Sequence, residues 1–452
     1  MSSQKKKRNT NDSNVADNET TKLTQDMPLA KAILNNDSAT VGSVIAASLP
    51  NPEGVDVQDV IISKSIGEAF TGGRSTPVYH IACTVVRNGT NKDNGKRRQR
   101  HFVAKLIIMP STCGGESSSI SDRLWIKRES YAVERRFYDT IAPPLRSHLP
   151  IPKLLYSDHD GSRPWPAICF LMNDVSRGGG FPNHPAFLSV GEIKRAIRWI
   201  ANFHALFWGE QQSWKNHMWS RGGFWTPKTK NHVGDPVVKV TGIAQQWTQT
   251  IRWMESKHPS AISQQTLGIG KRLEAAAGPI SNFLTLQSSN VKQGTLIHGD
   301  FKAANLFLAS LENCDDASSE ADTVVVLDFQ FSGTGLGAED VAYILFPDAL
   351  GHYFDKEKEI LECYHEELIS QLIVHQKGGP STLSFETFRS YYELARVDFT
   401  RYLLGKGWVA SNEGDARLVS ALEDTLCRLD GGRVLSCVND YVEAISSFVH
   451  NC

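Results

Sequence analysis

Apolar residues recur at two different periods along this chain, and the change from one to the other divides it. Residues 59–66, 77–86 and 101–108 are short runs rich in β-branched and aromatic side chains, which predicts three strands. A glycine turn over residues 67–75 joins the first two. The polar, heavily basic stretch 88–100 reads as an enlarged hairpin loop before the third. From about residue 122 the period becomes helical. Leu124, Tyr131, Phe137, Tyr138 and Ile141 lie around one face of a helix predicted over 122–141. Ser189 and Glu192 form a capping box ahead of the stripe Ile193, Ile197, Ile200, Phe203 and Phe207. Phe385, Phe388, Tyr392, Ala395, Phe399 and Tyr402 mark another long helix that ends near Gly405. Later strands are expected at 167–172 and 324–327, and 312–322 reads as an acidic, solvated insertion. Strands first and helices after predict an α+β protein: a weakly ordered tail over 1–50, a small sheet lobe with one main helix over 51–172, and a larger, mostly helical lobe over 173–452.

Two charges stand where the apolar pattern has no place for them. Lys105 is the one charge inside the third strand, and a buried-strand lysine should point at something negative, such as nucleotide phosphates and a helix carboxylate, with snorkelling to solvent from an edge strand as the alternative. Glu134 falls in the middle of the apolar face of the helix over 122–141, whereas Glu129 falls well off it, so Glu134 is the expected partner of Lys105. An ion pair between Glu134 and a neighbouring arginine is the alternative. The turn glycines Gly72 and Gly73, with Ser75, would let backbone N–H groups approach phosphates, although a plain hairpin turn reads the same way.

The chemistry concentrates in two segments. Residues 296–305 read Leu-Ile-His-Gly-Asp-Phe-Lys-Ala-Ala-Asn, and residues 324–330 read Val-Val-Val-Leu-Asp-Phe-Gln. An Asp five residues before an Asn, followed by a strand ending in a second Asp, is the spacing of a catalytic loop and metal site for phosphoryl transfer. Such transfer needs a group that orients a hydroxyl nucleophile, and oxygen ligands for the cations that neutralise phosphate charge. Asp300 suits the first task, and Asn305 with Asp328 the second. His298 and Phe329 read as packing and loop-shaping residues.

Composition narrows the partners. With 452 residues and 40% hydrophobic content, the chain can bury a large core. Its 48 Lys and Arg against 49 Asp and Glu leave a formal charge of −1, so nothing favours a nucleic-acid or membrane-surface partner, and small substrates fit better. The eight cysteines are scattered without metal-ligand spacing, and no run reaches membrane-spanning length, which predicts a cytoplasmic protein. Trp214, Trp219, Phe224, Trp225 and Trp247 read as ordinary packing, with a cage for a cationic or ring-shaped substrate as the alternative. Nothing in the composition bears on oligomeric state.

In this order, the pieces resemble the aminoglycoside phosphotransferase and choline kinase group, and within it the ecdysteroid-kinase-like branch. The resemblance rests on HGDFKAAN (298–305), LDFQ (327–330), EDVAY (339–343), ANFHALFW (201–208) and ERRFY (134–138), and spans roughly residues 59–404. It implies a bilobal protein-kinase-like fold, ATP with Mg²⁺, and a small-molecule alcohol as acceptor. Carried over by position, it implies Asp300 as base, Asn305 and Asp328 as metal ligands, and Lys105 with Glu134 as the phosphate-binding pair. It also implies an adenine-binding hinge at Met172 and Asn173, and Asp340 and His298 as braces of the catalytic loop. The hinge has Asn173 where relatives often carry Glu, and the stretches 88–100 and 312–322 are unusual in size. A protein kinase is a weaker reading, because no Ala-Pro-Glu follows Asp328 to close an activation loop. A pseudokinase would need a damaged site, and every key polar residue is in place.

Overall fold

The computed structural model describes residues 27–64, 77–87, 96–108, 118–159, 167–177, 180–182, 188–226, 242–257, 264–290, 292–310, 323–345 and 356–405. The chain divides into two compact units, one of residues 1–113 with 152–180, the other of 114–151 with 181–452. The expected lobes of 51–172 and 173–452 differ from this in two respects: the segment 114–151, with its helix, belongs to the second unit, and the first unit runs on to residue 180.

The first unit is built on a five-stranded antiparallel sheet with the order β1-β2-β3-β5-β4, formed by β1 (Val55–Lys64), β2 (Val78–Arg87), β3 (Lys96–Ile107), β4 (Leu154–His159) and β5 (Ile168–Asn173). Phe102, Ala104, Leu106, Cys169 and Leu171 alternate onto one face and are buried there. That face is covered by α1 (Pro28–Leu34) and α2 (Ser38–Ser48), through Leu29, Ile33, Val41 and Ile45. Two expectations are corrected here. Residues 28–48 are helical, not a weakly ordered tail; each helix is too short to display a clear period, and the sheet supplies the apolar surface that holds it. Asp158 on β4 adds a fixed point by accepting hydrogen bonds from the Leu29 and Ala30 N–H groups at 2.9 and 3.2 Å. Residues 96–100 are the first half of β3, not loop, because their backbone pairs with β2 from Arg87 to Cys83 whatever their side chains prefer. The rest of that stretch, 88–95, and the 312–322 insertion lie outside the described residues.

The second unit is mainly helical. Its principal helices are α3 (Ser118–Arg136), α4 (Val190–Phe207), α5 (Ile243–Lys257), α6 (Gln264–Ser288), α7 (Gly337–Leu345), α8 (Glu357–Val374) and α9 (Phe385–Gly405). The Ser189–Glu192 capping box opens α4, and its whole predicted stripe is buried. Helix α8 packs along α4, and α9 along α7. The helix expected over 122–141 stops at Arg136 and continues as a π-helical turn, Phe137–Ile141. Trp214, Trp219, Trp225 and Trp247 are buried, as ordinary packing requires. Two short antiparallel pairs break the helical pattern: β6 (Thr295–Ile297) with β9 (Gly333–Gly335), and β7 (Leu306–Leu308) with β8 (Val324–Val326).

Candidate active site

The two strand pairs hold the chemical segments side by side. The loop from His298 leaves β6 and closes in a 3₁₀ turn, Ala303–Asn305, directly before β7. β7 pairs with β8, and the Leu327 N–H then donates to the Asn305 carbonyl at 2.9 Å, so Asn305 and Asp328 leave neighbouring strand ends. Gly299 turns the loop with φ +79°, and a Cβ there would stand 2.2 Å from the Phe331 carbonyl oxygen. Only glycine fits this crossing. Asp328, two residues past the end of β8, is itself left-handed at φ +68°, a sparsely populated backbone state for a residue other than glycine.

Asp300 is buried and surrounded by donors. The Tyr343 hydroxyl donates to its Oδ1 at 3.0 Å, the Lys302 ammonium stands 3.1 Å away, and Asn305 Nδ2 donates to its Oδ2 at 3.1 Å. Burial pushes the Asp300 carboxyl above the ordinary carboxylate range, Lys302 pulls it back, and the Asp328 charge pushes it up again. Asn305 Nδ2 also donates to the Asp300 carbonyl at 2.7 Å, which leaves the Asn305 Oδ1 as the amide's oxygen for a cation. Among the described residues no three His, Cys, Asp or Glu side chains gather as a metal site. A hard cation here would take one carboxylate, one carboxamide and otherwise phosphate or water oxygens, and that donor set suits Mg²⁺.

Behind the loop, Asp340 accepts from the His298 N–H at 2.6 Å, the Gly299 N–H at 2.9 Å and His204 Nε2 at 3.1 Å. His204 Nδ1 meets the Tyr364 hydroxyl at 2.8 Å. Burial raises the Tyr364 phenol well above its usual range, so the phenol keeps its proton and can donate it to the ring nitrogen. This relay backs onto Gly337, where a Cβ would lie 2.0 Å from the Tyr364 oxygen. The His298 ring bridges the two segments: Nε2 reaches the Leu327 carbonyl at 2.9 Å, and Nδ1 accepts from the Asp300 N–H at 3.2 Å. Burial lowers its proton affinity, consistent with a neutral ring. Phe329 stacks on Phe137 at 3.7 Å between centroids and 9° between planes, which ties the Asp328 segment to the turn just after α3.

Sequence reasoning assigns no role to Tyr343, His204 or Lys302. His204 follows Ile200 by four residues and Tyr343 follows Asp340 by three, so each polar group sits on a buried helix face. That is the signal that would have exposed them. Glu134 is 1% exposed, as its place on the apolar face predicts, whereas the half-buried Glu129 pairs with Arg136.

In the first unit, Lys105 is half-buried and alternates onto the sheet face opposite the α1–α2 layer, in register with Phe170 and beside Val103 and Met172. Asn173 is tied down at the end of β5: its side chain accepts from the Lys153 N–H, and its own N–H donates to the Lys153 carbonyl at 3.2 Å. Lys105 and Glu134 belong to different units, so their pairing stays an expectation of the sequence. Gly72, Gly73 and Ser75 lie outside the described residues.

Several solved structures are similar to this chain at low identity. A microcompartment-associated aminopropanol kinase matches at 14% identity and a TM-score of 0.37, covering 82% of this chain and 96% of its own. An aminoglycoside phosphotransferase homologue from Ralstonia eutropha JMP134 matches at 13% identity and a TM-score of 0.41, covering 88% and 98%. A spectinomycin phosphotransferase, solved with ADP and spectinomycin, matches at 13% identity and a TM-score of 0.37, covering 81% and 89%. No curated protein sequence matches the chain. The sequence profile of the ecdysteroid kinase-like family matches residues 76–376, about two thirds of the chain, including the strands that carry Lys105 and Met172 and the whole Asp300 site. The chain belongs to the ecdysteroid kinase-like family and has its protein-kinase-like, α+β fold.

Proposed function

We propose that this protein transfers the γ-phosphoryl group of ATP, bound as its Mg²⁺ complex, to a hydroxyl of a small-molecule alcohol. The observation that carries the reading is the Asp300 carboxylate, buried among Tyr343, Lys302 and Asn305, with the Asn305 amide oxygen and Asp328 at neighbouring strand ends. Asp300 accepts the proton of the attacking hydroxyl as the bond to phosphorus forms and the bond to the β-phosphate oxygen breaks. Asn305 Oδ1 and the Asp328 carboxylate would hold the cation, which would supply charge to offset that on the transferring group. Asp340 and His298 fix the loop that carries Asp300. Lys105 takes the nucleotide phosphates together with Gly72, Gly73 and Ser75, and the strand end at Met172 and Asn173 meets the adenine.

The test is ADP release by the purified protein with Mg²⁺, ATP and a panel of alcohols. Acceptor-dependent release is expected, with Asp328→Asn and Asn305→Ala each raising the Mg²⁺ concentration for half-maximal rate by about tenfold or more. An unchanged Mg²⁺ requirement in both variants would remove the ligand assignment.

A further inference from the structure

The basic stretch that begins β3 has no part in the site described above. Lys96, Arg98 and Arg100 alternate onto the same sheet face as Phe102, which is the face that α1 and α2 cover farther along the strand. The helix layer ends at Leu49, and Arg87 donates to the Pro50 carbonyl at 3.0 Å, so the strand runs past the edge of its cover. A cleft of about 390 Å³ opens there. Arg87, Lys96, Arg98, Arg100 and Lys153 line it together with Asn173, with Phe102 and Leu155 among its apolar walls, and among the described residues no carboxylate belongs to the lining.

We propose that this cleft binds a small amphiphilic anion: a phosphate or sulfate ester carried on an apolar body. Alternate residues of a strand stand about 7 Å apart, so Arg98 and Arg100 can close on one tetrahedral anion from two sides. Guanidinium forks match the oxygens of such an anion in pairs. The buried Phe102 ring and the Leu155 side chain supply the apolar contact that a bare ion would not use. The cations are gathered in a cleft on a chain of net charge −1 rather than spread along a face, which favours a small ligand over a nucleic acid. The class includes the phosphomonoesters that the proposed reaction would release, yet binding needs no turnover, so either proposal can fail without the other.

The experiment is isothermal titration of the full chain with 1-naphthyl phosphate, with a non-hydrolysable ATP analogue and Mg²⁺ present to occupy the proposed nucleotide site. Parallel titrations use inorganic phosphate and vesicles of phosphatidylcholine with phosphatidate. The unaltered protein should bind the naphthyl ester about tenfold or more tightly than inorganic phosphate, the difference coming from the buried ring. Arg98→Glu combined with Arg100→Glu should weaken the ester by about tenfold or more while the melting temperature stays put, since both side chains are exposed. Arg98→Gln with Arg100→Gln gives the same reading should the charge reversal unfold the protein. Equal affinity in the variants, equal affinity for phosphate and its naphthyl ester, or variant-sensitive binding to phosphatidate vesicles alone would each overturn the proposal.

Discussion

Three donors converge on the Asp300 carboxylate while its burial works against ionisation, and the balance sets the pH at which the residue can take a proton. The carboxyl is raised above its ordinary value, and only the ionised form is a base, so the proposed activity should climb as pH rises through that raised value. Tyr343 stabilises the ionised form. Tyr343→Phe should therefore shift the acid limb of the kcat profile to higher pH and lower kcat by about tenfold; a limb that stays in place would show that the Tyr343 contact is packing only. Asp340→Asn would set an amide against three N–H donors, at a cost of about 1–3 kcal/mol in stability and a larger fractional loss in kcat than in ATP affinity. Urea unfolding and ATP-analogue titration of that variant check the two halves separately. That Asp300, Asn305 and Asp328 come together was legible in the sequence, because polar residues at fixed spacing after apolar strands have few structural uses. Tyr343 and His204 were not, because an aromatic ring on a buried helix face looks the same whether its polar atom works or merely finds a partner.

At the scale of elements, the apolar period located α3, α4 and α9 and the strands β1, β2, β3, β5 and β8, but missed others, among them those whose cause lies elsewhere in the chain. Helix α1 depends on the sheet and on Asp158, some 130 residues away in sequence, and the basic half of β3 depends on the ladder with β2. No local pattern records either. The π-helical turn after α3 is equally silent in sequence, yet it carries Phe137, on which Phe329 stacks. The Asp158 anchor has a pH signature. Burial outweighs the Leu29 and Ala30 donors and pushes its carboxyl up to about 6, against roughly 4 in an unfolded chain. The folded state thus holds the proton more tightly. The contribution to stability is complete below about pH 4 and is lost as pH rises through about 6, an effect on the order of 3 kcal/mol. Asp158→Asn should flatten that part of the stability curve in urea titrations from pH 4 to 7. An unchanged slope would contradict the assignment.

For the whole molecule, chain order supplied most of what could be read in advance: a strand-rich first part, a helix with an inward carboxylate, and a late loop carrying Asp300 and Asn305, followed by the short strand that runs to Asp328. After Asp328 only β9 precedes α7, which leaves no room for a long substrate-docking segment at that point and agrees with a small acceptor. Among the described residues no helix is long and apolar enough to cross a membrane. The central claim, that the Asp300 site moves a phosphoryl group to an alcohol, is tested most directly by ³¹P NMR of the protein with ATP, Mg²⁺ and pooled alcohols. A new phosphomonoester resonance should grow with the unaltered protein and be missing with Asp300→Asn. Equal growth in both, or ATP converted only to ADP and inorganic phosphate, would contradict it.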